Sequence, residues 1–259
     1  MNLLALETAT DLVGAALWRD GAVAERSHLG GRAHGELLAP LVEEVCALSG
    51  CGLSDVDALA VDVGPGLFTG LRVGVASAKA LGQALGIGIV GVTSLDILAA
   101  GARDAAGEER AARVVSVVDA RRREVFAAAY DFESGSPGDD GTVDPVDVGD
   151  DRPEALTPDE LVAWLGDLAA AGPVLVVGDG AVRYLDLLTP LAGVDVGLVG
   201  ELTSPAPATL ARLAVRRLEA GGAATGAVDL APDYRRHADA RINWEERSPQ
   251  RTVAPTDGP

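Results

Sequence analysis

The residues of this chain best equipped for chemistry fall in two short turns. The first is Glu7-Thr8-Ala9-Thr10, at the end of the first apolar run. A carboxylate at Glu7 with hydroxyls at Thr8 and Thr10 could orient a phosphate or a hydrated metal ion. The same residues could equally make an ordinary hydrogen-bonded turn. The second is Gly64-Pro65-Gly66-Leu67-Phe68-Thr69-Gly70-Leu71-Arg72-Val73-Gly74, between the apolar run Ala58 to Val63 and a helix-like run from about Leu71 to Leu85. Glycine permits close backbone approach and positive φ, and proline fixes φ. Thr69 is placed to cap the helix, and a helix N-terminus with free N–H groups can hold an anion. Tight steric packing of a strand-to-helix turn explains the same glycines. The stretch is not a Walker loop, since no Gly-Lys-Ser/Thr occurs, and Gly64, Gly66 and Gly70 do not have Gly-x-Gly-x-x-Gly spacing.

Other chemistry-bearing groups are scattered. His28 and His34 are six residues apart, which is not a one-face helical spacing for metal ligands, and His237 is remote. Arg121-Arg122-Arg123 makes a small basic patch in an expected hairpin turn. Asp179, between Gly178 and Gly180, stands at an expected strand end, where α/β sheets bind ligands. Cys46 and Cys51 are the only cysteines. Cys46 falls in a helical apolar pattern and reads as a small core residue in a reducing compartment.

Elements that could position these groups are legible from periodicity. Strands are expected at Leu3–Glu7, Leu12–Arg19 and Ala22–Leu29, with the Asp20-Gly21 hairpin signal between the last two. A helix runs from about His34 to Leu48, with Pro40 near its first turn or kinking it. A strand at Ala58–Val63, the helix after the glycines, a strand at Ile87–Val92 and a helix capped by Ser94 complete a βββαβαβα order. The second half repeats it loosely. Strands are expected at Val114–Val118, Val125–Tyr130 and, in a loop rich in Asp, Gly, Ser and Pro over 132–153, Val143–Val148. A capping box at Thr157-Pro158-Asp159-Glu160 opens a helix. Strands at Val174–Val177 and Val194–Val199, a helix near Ala181–Leu188 and another at Ala206–Ala220 follow. The fold class expected is α/β, two mixed sheets covered by helices. The expected division is 1–105, 106–245 and a polar tail at 246–259 without fixed structure.

Composition narrows the function classes. The chain has 259 residues, 48% hydrophobic content and a net charge of −18. That charge opposes independent binding to nucleic acid, which relies on phosphate neutralisation. No apolar run approaches the roughly 18 residues of a membrane span. Leu37, Leu38, Leu41, Val42, Val45 and Leu48 form a stripe on the first helix, wide enough to serve a sheet and a partner. Gly74, Ala76, Ala78 and Ala80 on the second are small enough to let helices approach closely.

Taken together, several stretches resemble the TsaB (YeaZ) family. They are Leu4 to Thr10, Gly31-Arg-Ala-His-Gly-Glu-Leu-Leu-Ala-Pro40, the Gly64–Gly74 loop, Asp119-Ala-Arg-Arg-Arg-Glu-Val-Phe126, Gly178-Asp-Gly-Ala181, Pro232-Asp-Tyr-Arg-Arg236 and Ile242-Asn-Trp-Glu245. The resemblance implies the actin-like ASKHA architecture, two ribonuclease-H-like lobes around a cleft. It implies a cytoplasmic, non-catalytic subunit of the machinery that makes N6-threonylcarbamoyladenosine at position 37 of tRNA. The catalytic paralogue, TsaD, transfers the threonylcarbamoyl group and uses a metal held by His-x-x-x-His. Here the corresponding segment reads His34-Gly35-Glu36-Leu37-Leu38, so the second histidine is missing and no metal or other cofactor of its own is expected. Partners implied are a TsaD-type paralogue, a small TsaE-type ATPase and a second copy when alone, with tRNA reached only through the complex. The pairing would use Leu37, Leu38, Leu41, Val45, Val73, Ala76 and Ala80. Glu7, Thr8, Thr10, Gly64, Gly66, Thr69, Gly70 and Arg72 would be a vestigial phosphate or nucleotide site. The rival expectation is an autonomous ASKHA-type ATPase or kinase using those residues.

Overall fold

A computed structural model of the chain describes residues 1–30, 33–106, 113–132, 146–147, 155–198 and 202–235. Most of the acidic loop, His237, the Ile242–Glu245 motif and the expected tail lie outside the described residues.

In the first half, β1 (Asn2–Glu7), β2 (Leu12–Arg19) and β3 (Ala22–Leu29) form an antiparallel meander. Asp20 and Gly21 turn the β2–β3 hairpin with φ of 51° and 86°, both left-handed, which matches the twist of the flanking strands. Helix α1 (His34–Ser49) leads to β4 (Ala58–Gly64), α2 (Phe68–Leu85) to β5 (Ile89–Thr93), and α3 (Ser94–Ala106) leaves the sheet. The strand order is β3-β2-β1-β4-β5, with β4 and β5 parallel to β1. The second half contains β6 (Arg113–Arg121), β7 (Glu124–Asp131), β8 (Val146–Asp147), α4 (Pro158–Ala170), β9 (Val174–Val177), α5 (Asp179–Arg183), α6 (Leu185–Leu188), β10 (Val194–Val196) and α7 (Pro207–Glu219). Its order, β10-β9-β6-β7-β8, is the same topology read from the other end. The expected α/β class and degenerate duplication are therefore present.

Both central strands are covered on both faces, so their residues alternate between two cores rather than between core and water. From β1 and β4, Leu4, Leu6, Leu59 and Val61 face α1 and α2, while Leu3, Ala5, Ala58 and Ala60 face α7. The alanines on that second face let α7 lie close. Helix α3 sends Leu95, Leu98 and Ala102 onto the second sheet and Ile97 and Ala100 toward the first. The helix that ends each half thus helps cover the other half. After α7 the chain returns to the first sheet. Thr225 exchanges two backbone hydrogen bonds with Ile89, and Leu230 enters the α1–α2 core.

Local signals differ in detail from expectation. Thr157 and Glu160 do form the capping box of α4, with Pro158 at its first turn. Pro40 lies inside α1 on its exposed side, where the carbonyl left without an intrahelical donor can take water. Cys46 is only half-buried and Cys51 is buried; both are free. No helix among the described residues is long and apolar enough to cross a membrane.

Candidate functional site

The end of β1, the end of β4, the glycine-rich loop and the start of α3 meet at one place. Glu7 and Asp62 project from adjacent parallel strands, and each is fully buried. Glu7 Oε1 accepts from the Ala9 N–H at 2.8 Å. Asp62 Oδ1 accepts from the Gly64 N–H and the Ser94 hydroxyl, both at 2.7 Å. The other oxygens, Glu7 Oε2 and Asp62 Oδ2, have no hydrogen-bond partner. Burial, and then the neighbouring Asp62 charge, push the Glu7 carboxyl well above its usual range. Burial also raises Asp62, to about 6, against the hydrogen bonds from Gly64 and Ser94. The two carboxyls are a buried pair on β1 and β4, closed to solvent.

The turn after Glu7 is equally occupied. Thr8 Oγ1 donates to the Gly70 carbonyl at 2.8 Å, and the Leu67 N–H donates to the Ala9 carbonyl at 2.6 Å. His34 is buried, with its Nε2 2.8 Å from the Thr10 carbonyl. A Cβ on Gly66 would sit 2.1 Å from the Ala9 carbonyl oxygen, one on Gly70 2.0 Å from that of Thr8, and one on Gly74 2.3 Å from Thr8 Oγ1. The glycines exist because α2 presses directly on the β1 turn.

The structure therefore brings Glu7, Thr8, Thr10, Gly64, Gly66 and Gly70 together, but packed against each other. The space a phosphate or metal ion would need between them is filled by the chain itself. Thr69 is not the cap. Helix α2 begins at Phe68, its N-cap is Leu67, and Thr69 is exposed. Docking of Leu67 on Ala9 sets the helix start, so no side-chain cap is needed. Arg72 stands apart, exposed, with its guanidinium 3.7 Å above the Phe68 ring and Nε donating to the Tyr234 hydroxyl at 3.4 Å.

The arginine turn between β6 and β7 is exposed, and Arg121 ties it into a network of ion pairs. Asp119 is buried and receives Arg121 Nη1 at 3.0 Å and Arg183 at 3.4 Å. Arg121 also reaches Asp11 of the first half at 3.2 Å. Asp179 accepts from the Asp119 N–H at 2.9 Å, and burial lifts its carboxyl to about 6. It is a strand-end acceptor of backbone hydrogen bonds.

The expected partner face divides in two. Leu38, Leu41 and Val45 are buried in their own core, and Leu37 and Val73 are half-buried. Ala76 and Ala80 are exposed, as are Glu43, Ala47 and Leu48 on α1. The stripe is narrower than its periodicity suggested, because the sheet consumes its centre.

Sequence reading missed Asp62, and it took Ser94 for the cap of α3, whereas Thr93 Oγ1 accepts from the Asp96 N–H at 3.1 Å and the Ser94 hydroxyl goes to Asp62. An acidic residue inside the apolar run Ala58–Val63 was the available signal for Asp62. It also missed that Tyr234 returns to Phe68, with ring centroids 5.6 Å apart, because nothing local links residues so far apart in sequence.

Comparison with known proteins adds to this geometry. The sequence model of the tRNA N6-adenosine threonylcarbamoyltransferase family matches residues 26–144. The chain is 32% identical over 250 residues to the tRNA threonylcarbamoyladenosine biosynthesis protein TsaB of Escherichia coli, covering 95% of the chain and 98% of that protein. It is 30% identical over 255 residues to the protein of the same name from Bacillus subtilis, covering 95% and 99%. The solved structure of YeaZ from Pseudomonas aeruginosa superposes with a TM-score of 0.70 at 26% identity, covering 90% of the chain and 99% of that structure.

Proposed function

The chain belongs to the TsaB family, and from that premise we propose that it is a non-catalytic subunit in tRNA threonylcarbamoyladenosine biosynthesis that pairs with, and activates, a TsaD-type catalytic paralogue. The observation that carries the non-catalytic part is the complete burial of Glu7 and Asp62. A carboxylate that serves phosphoryl or metal chemistry must reach the ligand, and neither side chain has any exposed surface. His34 supports the same reading. One ring nitrogen is committed to the Thr10 carbonyl, and Leu38 occupies the position one helical turn on. Among the described residues no group of three His, Cys, Asp or Glu side chains converges.

The pairing surface is the exposed side of α1 and α2, with Ala76 and Ala80 at its centre and Leu37 and Val73 at its floor. Small side chains there let a partner helix approach closely. A lasting contact would bury more than about 1,000 Å² in total. A second copy could use the same face when the paralogue is absent, and a small TsaE-type ATPase would join the pair; tRNA is reached through the complex. The test is co-purification with the paralogue after circular dichroism shows the variant folded. Ala76→Asp, exposed in the free chain and buried in the complex, should cost several kcal/mol of binding, roughly 3–5 by the penalty for an unpaired buried charge. Wild-type binding by folded Ala76→Asp and Ala80→Asp variants would place the contact elsewhere.

A further inference from the structure

The chain holds two cysteines, Cys46 and Cys51, and both thiols are free. We propose that they form an oxidation site, at which a low-molecular-weight disulfide converts the pair into an intramolecular Cys46–Cys51 disulfide that staples the end of α1. The site involves neither the glycine-rich loop nor the buried carboxyls.

The placement comes from how α1 ends. Gly50 follows the helix with φ of 59° and ψ of 32°, a left-handed turn that glycine adopts without a Cβ clash. Its N–H donates to the Ala47 carbonyl at 3.3 Å, and the Cys51 N–H donates to the Cys46 carbonyl at 3.1 Å. This nested pair of bonds folds the chain back, so that the residue after the glycine faces the one in the last helical turn, commonly in an apolar contact. Here both facing positions are cysteine. A backbone bond of this kind holds two α-carbons at roughly 5–6 Å, within the span of disulfide-linked cysteines. Either cysteine alone would pass as a small apolar side chain. Both cysteines of the chain, however, stand at the two positions that one cap brings together.

Exposure assigns the roles. Cys46 is half-buried, whereas Cys51 is 4% exposed and packs in the α1–α2 core, its thiol donating weakly to the Gly52 carbonyl at 3.6 Å. The Cys46 thiolate attacks one sulfur of the reagent disulfide. The reagent's S–S bond breaks, one thiolate leaves, and a mixed disulfide stands on Cys46. Cys51 then loses its proton and attacks the Cys46 sulfur, which expels the second reagent thiolate. Two protein thiols are oxidised, the reagent is reduced to two thiols, and the two cysteine protons end on them. Burial, and then the neighbouring Cys51, raise the Cys46 thiol above its ordinary value. The reaction is therefore slow at neutral pH and quickens as pH rises, because the thiolate is the attacking form.

The experiment treats the full folded chain with oxidised glutathione at mildly alkaline pH and reads it by intact mass spectrometry. The wild-type chain should lose two hydrogen atoms in mass and, once denatured, take up no alkylating reagent; a dithiol reductant should restore both thiols. Cys51→Ser should stop with one glutathione on Cys46, and Cys46→Ser should stay unmodified while folded, as circular dichroism checks. The Tm of the oxidised chain should exceed that of the reduced chain by roughly 3–8 °C, since the bridge restricts the unfolded state. Should Cys51→Ser, altered at a core position, fail to fold, the wild-type mass and alkylation still decide. A glutathione adduct that persists on wild-type Cys46, two thiols still open to alkylation, or disulfide-linked dimers on a non-reducing gel would each overturn the proposal. So would a lower Tm after oxidation, since the cap would then have to distort to close the bridge.

Discussion

Replacing Gly70 by alanine should destabilise the first half of the chain, although alanine is the better helix former. Gly70 lies in the first turn of α2, and its added Cβ would meet the Thr8 carbonyl oxygen at 2.0 Å. That oxygen is backbone, held by β1 and by the Leu67–Ala9 bond. Helix and turn must separate by about 1 Å to reach even the 3.0 Å that marks the edge of real contacts. Overpacking of this kind costs about 1–3 kcal/mol. Loosening the Thr8 Oγ1 bond to the Gly70 carbonyl costs about 1 kcal/mol more. The gain in helix propensity returns about 1 kcal/mol. The net loss should be ~2 kcal/mol, a fall in Tm of roughly 4–8 °C for a chain of this size. Gly166 is the control. It sits exposed in α4 with nothing within 4 Å of an added Cβ. Gly166→Ala should be neutral or raise Tm by up to roughly 4 °C. Thermal unfolding followed by circular dichroism measures both. Equal shifts in the same direction would refute the claim that close approach of α2 to the β1 turn explains the glycine.

The Glu7–Asp62 pair makes a pH-dependent prediction. A carboxyl raised in the folded state binds its proton more tightly there, so its stabilisation is full below its ordinary value, 4.5 for Glu7, and is lost as pH rises toward the folded value. Glu7→Gln removes the titrating carboxyl, so its stability relative to wild type should rise with pH above about 4.5 in urea unfolding at several pH values; a flat difference would contradict the raised Glu7 carboxyl. Leu41→Glu should unfold or badly destabilise the chain, since it places a carboxylate in the α1 core, whereas Ala76→Asp should leave Tm within roughly 2 °C of wild type. Thr157→Ala removes the α4 capping box and should cost ~1 kcal/mol by chemical denaturation.

The same residues show what the sequence made legible. Asp20-Gly21, Thr157 with Glu160, and the glycine-rich loop each depend on neighbours a few residues away, and each sits in the turn, cap or close contact its type suggests. Glu7 and Leu41 show the limit. Their chemistry is plain, but their accessibility depends on elements far along the chain. Asp62 and the β1 turn close over Glu7, and the first sheet uses the α1 stripe that includes Leu41. Thr69 failed as a cap for the same reason, because the Leu67–Ala9 contact sets the helix start. Helix α7 packs on the first sheet from the far end of the chain, and Tyr234 lies 162 residues from the Arg72 it touches. No periodicity records such contacts.

The central claim, a non-catalytic subunit acting through the α1–α2 face, is tested most directly in tRNA. Cells whose own TsaB has been removed should be supplied with this chain or its Ala76→Asp variant, with the paralogue from the same source, and N6-threonylcarbamoyladenosine in bulk tRNA quantified by nucleoside mass spectrometry. The account predicts that the wild-type chain restores the modification and that the folded Ala76→Asp variant does not. Failure of the wild-type chain to restore it, or full restoration by Ala76→Asp, would contradict the account.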